Sequence, residues 1–346
     1  MRLATYNVEW FNSLFDAQGR LQLDDRWSAR HNVNRKEQAE ALAQVFSALD
    51  ADGILIVEAP DTREEQRTED CLLTFSDHFK LGYDAVVTGF LNGTQQEIAF
   101  LYRSDVIAAK HQPGGGTNAS APPFDQTFSW DIDVDGQPDA HTFSKPPLEI
   151  TLDIGGQEIS LIGVHVKSKA PHGAKTRQDA VRISIQNRRK QLAQCVWIRR
   201  RVNDLLALGS DVIVLGDFND GPGLDDYEKL FGRSGVEIVL GDSTDAANQL
   251  HDPHASARLN ARQAWSPATA RFYNRERKTF LNALLDFIMV SSGVREHCDP
   301  KWRIWHPFDD RNCYDEPGLR DALLKASDHF PVTLDFNPKA KSTEHS

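Results

Sequence analysis

The feature that most constrains the fold is a strand–helix–strand pattern that occurs twice along the chain. In the first unit, residues 37–49 carry apolar positions spaced as one helical face, between strand-like runs at residues 2–8 and 53–57. In the second unit, strand-like runs at residues 158–166 and 211–215 flank a long basic helix. The pattern predicts an α/β protein whose two similar halves meet at one cleft.

Polar side chains stand where four of these strands end. They are Asn7, Glu58, His165 and Asp217. A polar group at the end of a buried strand costs stability unless it is satisfied, and loops held by rigid strands are where reactive groups are placed. The motif LGDFNDGP contains Asp217 and Asn219, and taken alone it could be a simple Asx turn.

Asp286 lies inside an apolar run, residues 284–290, which we read as a strand with a charge in its interior. A buried carboxylate requires a partner, and His329 in the stretch SDHFPV, at the start of the last predicted strand, is a natural one. An aspartate that holds an imidazole fixes its tautomer and stabilises its charged form. Each polar residue has an ordinary structural explanation when judged singly, so the argument for a site rests on the set.

Composition and charge exclude several classes of protein. The chain has 346 residues, is 40% hydrophobic and has a net charge of −11, which argues against a general polyanion binder. Its four cysteines show no CxxC spacing, so neither a zinc knuckle nor a disulfide framework is indicated. No signal segment or bilayer-spanning run is visible, and we expect a cytoplasmic protein with no membrane association and no obligate protein partner.

A basic segment interrupts this acidic chain. Residues 167–201 contain eleven Lys or Arg and one acid, a local charge of +10. Attraction to phosphate and a merely solvated helix face are both open explanations. The candidates for contact with a phosphate backbone are the basic residues that follow His165, namely Lys167, Lys169, Lys175 and Arg177.

The polar residues form an ordered series of motifs. They are TYNVEW with Asn7 and Glu9, ILIVEAPD with Glu58, GVHVKSK with His165, GDFND with Asp217 and Asn219, LLDFIMV with Asp286, and SDHFPV with Asp328 and His329. The series resembles the endonuclease/exonuclease/phosphatase superfamily over residues 1 to about 337. The resemblance implies an α/β fold, a two-layer β-sandwich of mixed sheets flanked by helices, as in the four-layer sandwich of deoxyribonuclease I. We expect one domain over residues 1–337, a loop excursion at about 111–147, and a disordered polar tail at 338–346.

The resemblance also implies roles for these residues. The expected ligands of Mg²⁺ or Mn²⁺ are Glu58, Asn7, Glu9 and Asp328, with Asn7 also near the substrate. The expected catalytic residues are Asp217 to activate water, Asn219 to contact the phosphate, and His165 to contact the phosphate or assist the leaving group. His329, held by Asp286, is expected to act as a base or a phosphate-stabilising imidazolium. Abasic-site relatives have tyrosine where His165 stands, so the histidine favours the deoxyribonuclease I and sphingomyelinase group. Val57 replaces a frequent glutamine before the metal glutamate.

Three functions remain in view at this point. The leading one is a metal-dependent phosphodiesterase that cleaves nucleic acid by attack of an activated water on phosphorus. The alternative is a phosphatase or phosphodiesterase for a small molecule or a lipid head group. The third is an inactive binding module, which the presence of the glutamate, the aspartate and the histidine argues against.

Overall fold

The structure is a computed structural model that describes residues 1–91, 97–114, 119–131, 137–221, 232–242, 244–259, 267–274 and 278–338. The strands are β1 (Arg2–Asn7), β2 (Gly53–Ala59), β3 (Ala85–Thr88), β4 (Glu97–Tyr102), β5 (Ala108–His111), β6 (Phe128–Trp130), β7 (Asp139–His141), β8 (Leu148–Ile154), β9 (Gln157–His165), β10 (Asp211–Asp217), β11 (Ala270–Asn274), β12 (Thr279–Ala283), β13 (Asp286–Val290), β14 (Lys301–Ile304) and β15 (Val332–Asp335). The long helices are α1 (Arg35–Leu49), α2 (Thr68–Phe79) and α3 (Arg177–Ala207). Shorter helices span Phe11–Leu14, Gly235–Leu240, Pro253–Leu259, Ser292–His297, Arg311–Asp315 and Pro317–Ala326.

Two mixed sheets form the centre of the molecule. The first has the strand order β14-β15-β1-β2-β4-β3, and the second has the order β13-β10-β9-β8-β5. In the first sheet β1 and β2 run parallel, and in the second β9 and β10 run parallel, whereas the other pairs in these two sheets are antiparallel. The two predicted strand–helix–strand units are therefore confirmed, because each supplies the parallel pair of one sheet.

The two sheets pack face to face around a shared apolar core. Leu3, Leu55 and Phe100 from the first sheet meet Leu161 and Ile213 from the second, and these side chains are at most 1% exposed. Apolar residues of α1 and α2 cover the outer face of the first sheet, and α3 covers the outer face of the second. The layer order is thus helices, sheet, sheet, helices, which is the predicted four-layer α/β sandwich.

Local sequence determines where the long helices begin. Asn34 caps α1 through a capping box. The Asn34 side chain accepts a hydrogen bond from the Glu37 backbone N–H, and the Glu37 carboxylate accepts one from the Asn34 backbone N–H. Thr176 caps α3 by accepting from the Asp179 backbone N–H. The first turns of α3 are exposed, and from Arg188 onward its inner face is buried on the second sheet.

Four predicted boundaries need correction or qualification. Asp286 is the first residue of β13 and not an interior one, and β15 begins only at Val332, so Asp328 and His329 precede the last strand. The excursion at 111–147 contains a short hairpin, β6 with β7, besides loop. The predicted tail lies outside the described residues from 339 onward. Across the described ranges, no helix is both long and apolar enough to cross a bilayer.

Candidate active site

A cleft of about 790 Å³ opens at the carboxyl ends of the two parallel strand pairs. Ten of the predicted site residues line it, namely Asn7, Glu9, Glu58, His165, Lys167, Lys169, Asp217, Asn219, Asp328 and His329. The carboxyl ends of neighbouring parallel strands meet at one edge of a sheet, and stacking two sheets brings two such edges together. The convergence of the polar strand ends that the sequence predicts is therefore present.

The backbone at Glu58 is unusual for a strand. Glu58 has φ of 62°, in the left-handed region, and the pairing of β2 with β4 shifts register between Val57 and Ala59. A bulge of this kind re-aims a side chain at a small cost in strain. Here the bulge occurs at Glu58, whose carboxylate lies in the cleft near the end of a strand that is otherwise buried on both faces.

Three hydrogen bonds hold the Asp217 carboxylate in the cleft. Its Oδ2 accepts from Asn7 Nδ2 and from Asn219 Nδ2, each at 3.0 Å, and its Oδ1 accepts from the Asn219 backbone N–H at 2.7 Å. Burial, followed by the charge of Asp286, raises the pKa of Asp217 to about 7, although His329 and the hydrogen bonds oppose this shift. A carboxyl group with a pKa near neutrality can accept and release a proton at the pH of the cell.

His329 and Asp286 form a buried pair beside Asp217. His329 Nδ1 lies 2.8 Å from Asp286 Oδ2, and both side chains are at most 7% exposed. Burial lowers the pKa of His329. The charge and hydrogen bond of Asp286 outweigh this effect, and with smaller contributions from the charges of Asp217 and Asp328 the pKa is raised well above the usual range. The surroundings thus favour the imidazolium form of His329.

The second histidine has the opposite electrostatic environment. Lys145 Nζ lies 3.1 Å from His165 Nδ1 and 3.3 Å from Nε2. Burial, and then the positive charges of Lys145, His329 and Lys167, hold the pKa of His165 well below its usual range. His165 Nε2 is 3.7 Å from Asp217 Oδ2, a contact that is an ion pair only for a charged imidazole, and we assign a neutral one.

Helix α3 holds the loops that follow β9 and β10. Gln191 Nε2 donates to the carbonyl oxygens of Lys167 and Asn219 at 2.9 and 3.0 Å. The fully buried Arg188 pairs with Asp220 Oδ2 at 2.7 Å. One helix therefore ties together the two loops that carry His165 and Asp217 at their starts.

A model of the Endonuclease/Exonuclease/phosphatase family matches residues 4–329 of the chain. The chain belongs to this family. Its members are metal-dependent hydrolases of phosphoric esters, and the protein is an enzyme of that class. No curated protein matches the chain.

Solved structures of this fold resemble the chain over nearly its whole length. A humanized D. rerio TDP2 with 14 mutations has a TM-score of 0.51 at 13% identity, covering 98% of this chain and 99% of that one. A truncated TDP2 from Caenorhabditis elegans has a TM-score of 0.50 at 15% identity, covering 97% of both chains. At such low identity these likenesses establish the deoxyribonuclease I-like fold alone.

The acidic side of the cleft has the chemistry of a divalent-cation site. Asn7 Nδ2 bonds Asp217, whereas the buried Asn7 Oδ1 has no hydrogen-bond partner among the residues that the structure describes. Burial, and then the charge of Asp328, raise the pKa of Glu9 to about 7, with Glu58 adding to the effect and Arg30 opposing it. Carboxylates that repel one another beside an unsatisfied amide oxygen fit a hard cation, and Asn7, Glu9, Glu58 and Asp328 would hold it. When bound, the cation would neutralise charge on the phosphate oxygens and on the leaving oxygen.

A second group could also be considered as a metal site. Ligand atoms of Asp217, Asp286 and His329 lie within 4.8 Å of one another, and all three side chains are buried. The contacts of Asp217 with Asn7 and Asn219 and the bond between His329 and Asp286 already occupy most of these atoms, and the electrostatics favour a charged imidazole. An imidazolium cannot ligate a metal ion, so the electrostatics of this group disfavour it as a metal site.

The predicted basic residues do not act as one group. Lys167 and Lys169 line the cleft, although Lys169 Nζ also bonds Asp220 Oδ1 at 2.6 Å. Lys175 and Arg177 are exposed and do not line it, and Arg177 borders a separate groove on α3. Several other members of the 167–201 segment pair with acidic residues of the fold, namely Arg188 with Asp220, Arg189 with Asp139, and Arg201 with Glu149. Part of the +10 charge is thus offset by acids of the fold.

Two charged residues of the site were missed by sequence reasoning. Lys145, in the 111–147 excursion, lines the cleft against His165. Arg30 forms an ion pair with Glu9 and donates to the Leu324 carbonyl oxygen. Neither residue stands at a strand end or in a recognisable motif. Only the three-dimensional fold reveals their positions, although the single lysine before Pro146-Pro147 was a weak signal.

Proposed function

We propose that the protein is a Mg²⁺- or Mn²⁺-dependent nuclease that cleaves nucleic acid by attack of an activated water on phosphorus. In this proposal Asp217 accepts the proton of the water, while Asn219 and the His329 imidazolium stabilise the charge that builds on the phosphate. Glu58, Asn7, Glu9 and Asp328 hold the cation.

The observation that carries the proposal is the distribution of charge across the cleft. Carboxylates of Glu9, Glu58 and Asp328 stand in the same cavity as the ammonium groups of Lys145 and Lys167, with Asp217 and His329 also lining it. Hydrolysis of a phosphodiester requires a cation that binds the phosphate oxygens and a base that activates the attacking water. The cleft contains carboxylates that can hold such a cation and an aspartate that can act as the base. Lys175 and Arg177, on the chain segment that leaves the cleft, supply further positive charge for a polymer.

A specific observation also favours the alternative, a small-molecule phosphatase or phosphodiesterase. The cleft volume of about 790 Å³ lies within the range of small-ligand pockets, and the net charge of −11 disfavours general polyanion binding. The two functions differ in what surrounds the reacting phosphate and not in the chemistry itself.

The test is hydrolysis of plasmid DNA, single-stranded DNA, RNA and bis-(p-nitrophenyl) phosphate with Mg²⁺ or Mn²⁺. EDTA and the isosteric variant Asp217→Asn serve as chemical controls, and each should reduce turnover by about 10²-fold or more. Lys175→Ala/Arg177→Ala tests the polymer contacts, with Arg311→Ala as a control for loss of an exposed charge.

Polymer cleavage that depends on the metal and on Asp217 supports the nuclease. Turnover of the small diester with every polymer left intact favours the small-molecule function and contradicts the nuclease. Full activity of Asp217→Asn contradicts the proposed role of that carboxylate. A loss in Lys175→Ala/Arg177→Ala that is confined to polymers supports a phosphate contact outside the cleft.

A further inference from the structure

Exposed aromatic side chains line one face of the hairpin formed by β11 and β12. Tyr273 and Phe280 are paired across the hairpin, with ring centres 5.3 Å apart, and are 54% and 50% exposed. The Arg271 guanidinium lies 3.8 Å from the centre of the Phe280 ring and 4.9 Å from that of Phe308, which is 42% exposed. We call Arg271, Tyr273, Phe280 and Phe308 the aromatic strip.

The hairpin carries the aromatic strip on one face and borders the cleft with the other. Phe272 and Leu281, which are also paired, belong to the opposite face of the hairpin and line the cleft. The Arg271 backbone N–H donates to the Asp328 carbonyl oxygen at 2.8 Å, and the Phe272 ring centre is 5.6 Å from that of His329. A molecule that extends out of the cleft and over the hairpin would therefore contact the aromatic strip.

The charge of the strip is positive and is not neutralised within the described part of the chain. No described carboxylate lies within ion-pair distance of Arg271. Burial against its neighbours lowers the pKa of that guanidinium, and no acidic group opposes the shift. Exposed rings flanking a cation suit a ligand that combines flat apolar faces with negative charge.

We propose that the aromatic strip binds unpaired bases of a single-stranded nucleic acid whose phosphodiester lies in the cleft. The bases stack on Tyr273 and Phe280, and Arg271 contacts a backbone phosphate. Bases inside a duplex are stacked on both faces and cannot reach a flat aromatic surface, so the strip selects single strands, frayed ends or loops. This inference rests on the proposed nuclease function and names its preferred substrate.

The test is binding of fluorescent oligonucleotides to full-length protein that carries Asp217→Ala to prevent cleavage. Single strands and duplexes of about 12 nucleotides are compared, because that length spans the usual site of a single-strand binding surface. Phe280→Ala and Tyr273→Ala remove one ring each, and Phe280→Trp keeps a ring. Tyr314→Ala is the matched control, because Tyr314 is 51% exposed, has Arg320 over its ring and does not line the cleft.

Loss of either ring should weaken single-strand binding about five-fold or more, which is the lower range for one stacked base. Duplex binding should change less than about two-fold, and Phe280→Trp should restore single-strand binding. In protein with Asp217 intact, the control Tyr314→Ala should hydrolyse bis-(p-nitrophenyl) phosphate at the normal rate, and an unchanged circular dichroism spectrum of Phe280→Ala shows that its fold is undisturbed.

The outcomes separate the two proposals. Unchanged single-strand binding by both ring variants, or an equal loss for duplexes, overturns the aromatic strip and leaves the nuclease proposal intact if the unmutated enzyme cleaves polymers. An equal loss in Tyr314→Ala also overturns it. Failure of the parent protein to bind or cleave any nucleic acid overturns both proposals.

Discussion

Replacement of Arg188 by Met should weaken the fold strongly, although Arg188 looks like a surface cation in the sequence. Arg188 and Asp220 are both fully buried and joined at 2.7 Å. Arg188 Nη1 also donates to Gln191 Oε1 at 2.6 Å, and Asp220 accepts from Lys169 Nζ at 2.6 Å and from the Gly235 backbone N–H. The pair lies between α3 and the loop after β10.

The expected cost follows from what each substitution leaves behind. Breaking a buried pair by removing one partner costs about 3–5 kcal/mol, because the other charge stays buried. In Arg188→Met, Lys169 still neutralises Asp220, so we expect the lower end, about 3 kcal/mol. In Asp220→Leu, Arg188 loses the carboxylate of its buried ion pair, and we expect about 4 kcal/mol. The double variant removes both charges and should lose clearly less than the sum.

Urea unfolding followed by circular dichroism measures these free energies, and the double-mutant cycle gives the coupling. We expect a coupling energy of about 2 kcal/mol or more. Single-variant losses below about 1 kcal/mol, or an additive double variant, would refute the reasoning, since either result means that the two charges are not desolvated together.

Three further predictions follow from other parts of the structure. Gly216→Ala should cost about 3 kcal/mol or more in urea unfolding, because Gly216 has φ of 135° and an added Cβ would lie 2.1 Å from the Val164 carbonyl oxygen. Glu58→Gln should raise the Mg²⁺ concentration for half-maximal hydrolysis about ten-fold or more, because it removes a charge from the proposed cation site. Burial raises the pKa of Asp310, but hydrogen bonds from Arg303 at 2.7 and 3.0 Å outweigh this and hold it below the usual range. The ion pair therefore stabilises the fold near pH 7, and the stability difference between the parent and Asp310→Asn should shrink as the pH falls below about 4.

Each of these predictions has a matched control. Gly209→Ala also has positive φ, at 73°, but meets no atom within 4 Å, so it should cost only about 1 kcal/mol. Glu64→Gln removes an exposed acid outside the cleft and should leave the Mg²⁺ dependence unchanged. Asp315→Asn breaks an exposed pair with Arg311 and should have little effect on stability at any pH. Equal effects in a variant and its control would contradict the corresponding prediction.

The sequence predicted the parts of the fold that depend on periodicity and strand ends. Apolar spacing identified α1 and the strands β1, β2, β9 and β10, because a buried face imposes the helical or strand period on the residues that form it. Polar residues at these strand ends located the cleft, since parallel strands of one sheet end at the same edge. The four-layer arrangement came from the resemblance and not from periodicity.

Other parts of the site could not be predicted, for physical reasons. An arginine on a basic helix gives no local sign of its partner, and Asp220, the partner of Arg188, is 32 residues away. Lys145 reaches His165 from an excursion whose path depends on tertiary packing. Asp286 was placed inside a strand because the apolar run begins at Leu284, whereas pairing with β10 begins only at Asp286. The roles assigned to the site residues remain predictions.

The attachment of both cleft loops to α3 has a consequence for how the enzyme moves. Because Gln191 donates to both the loop after β9 and the loop after β10, moving these two loops apart requires at least one of its hydrogen bonds to break. Amide protons that these contacts shield, such as that of Lys167 bonded to Gln194, should exchange with solvent as slowly as the middle of α3. Among the described contacts, no such hydrogen bond joins the hairpin of β11 and β12 to α3. We therefore expect the hairpin side of the cleft to move when substrates of different shape bind.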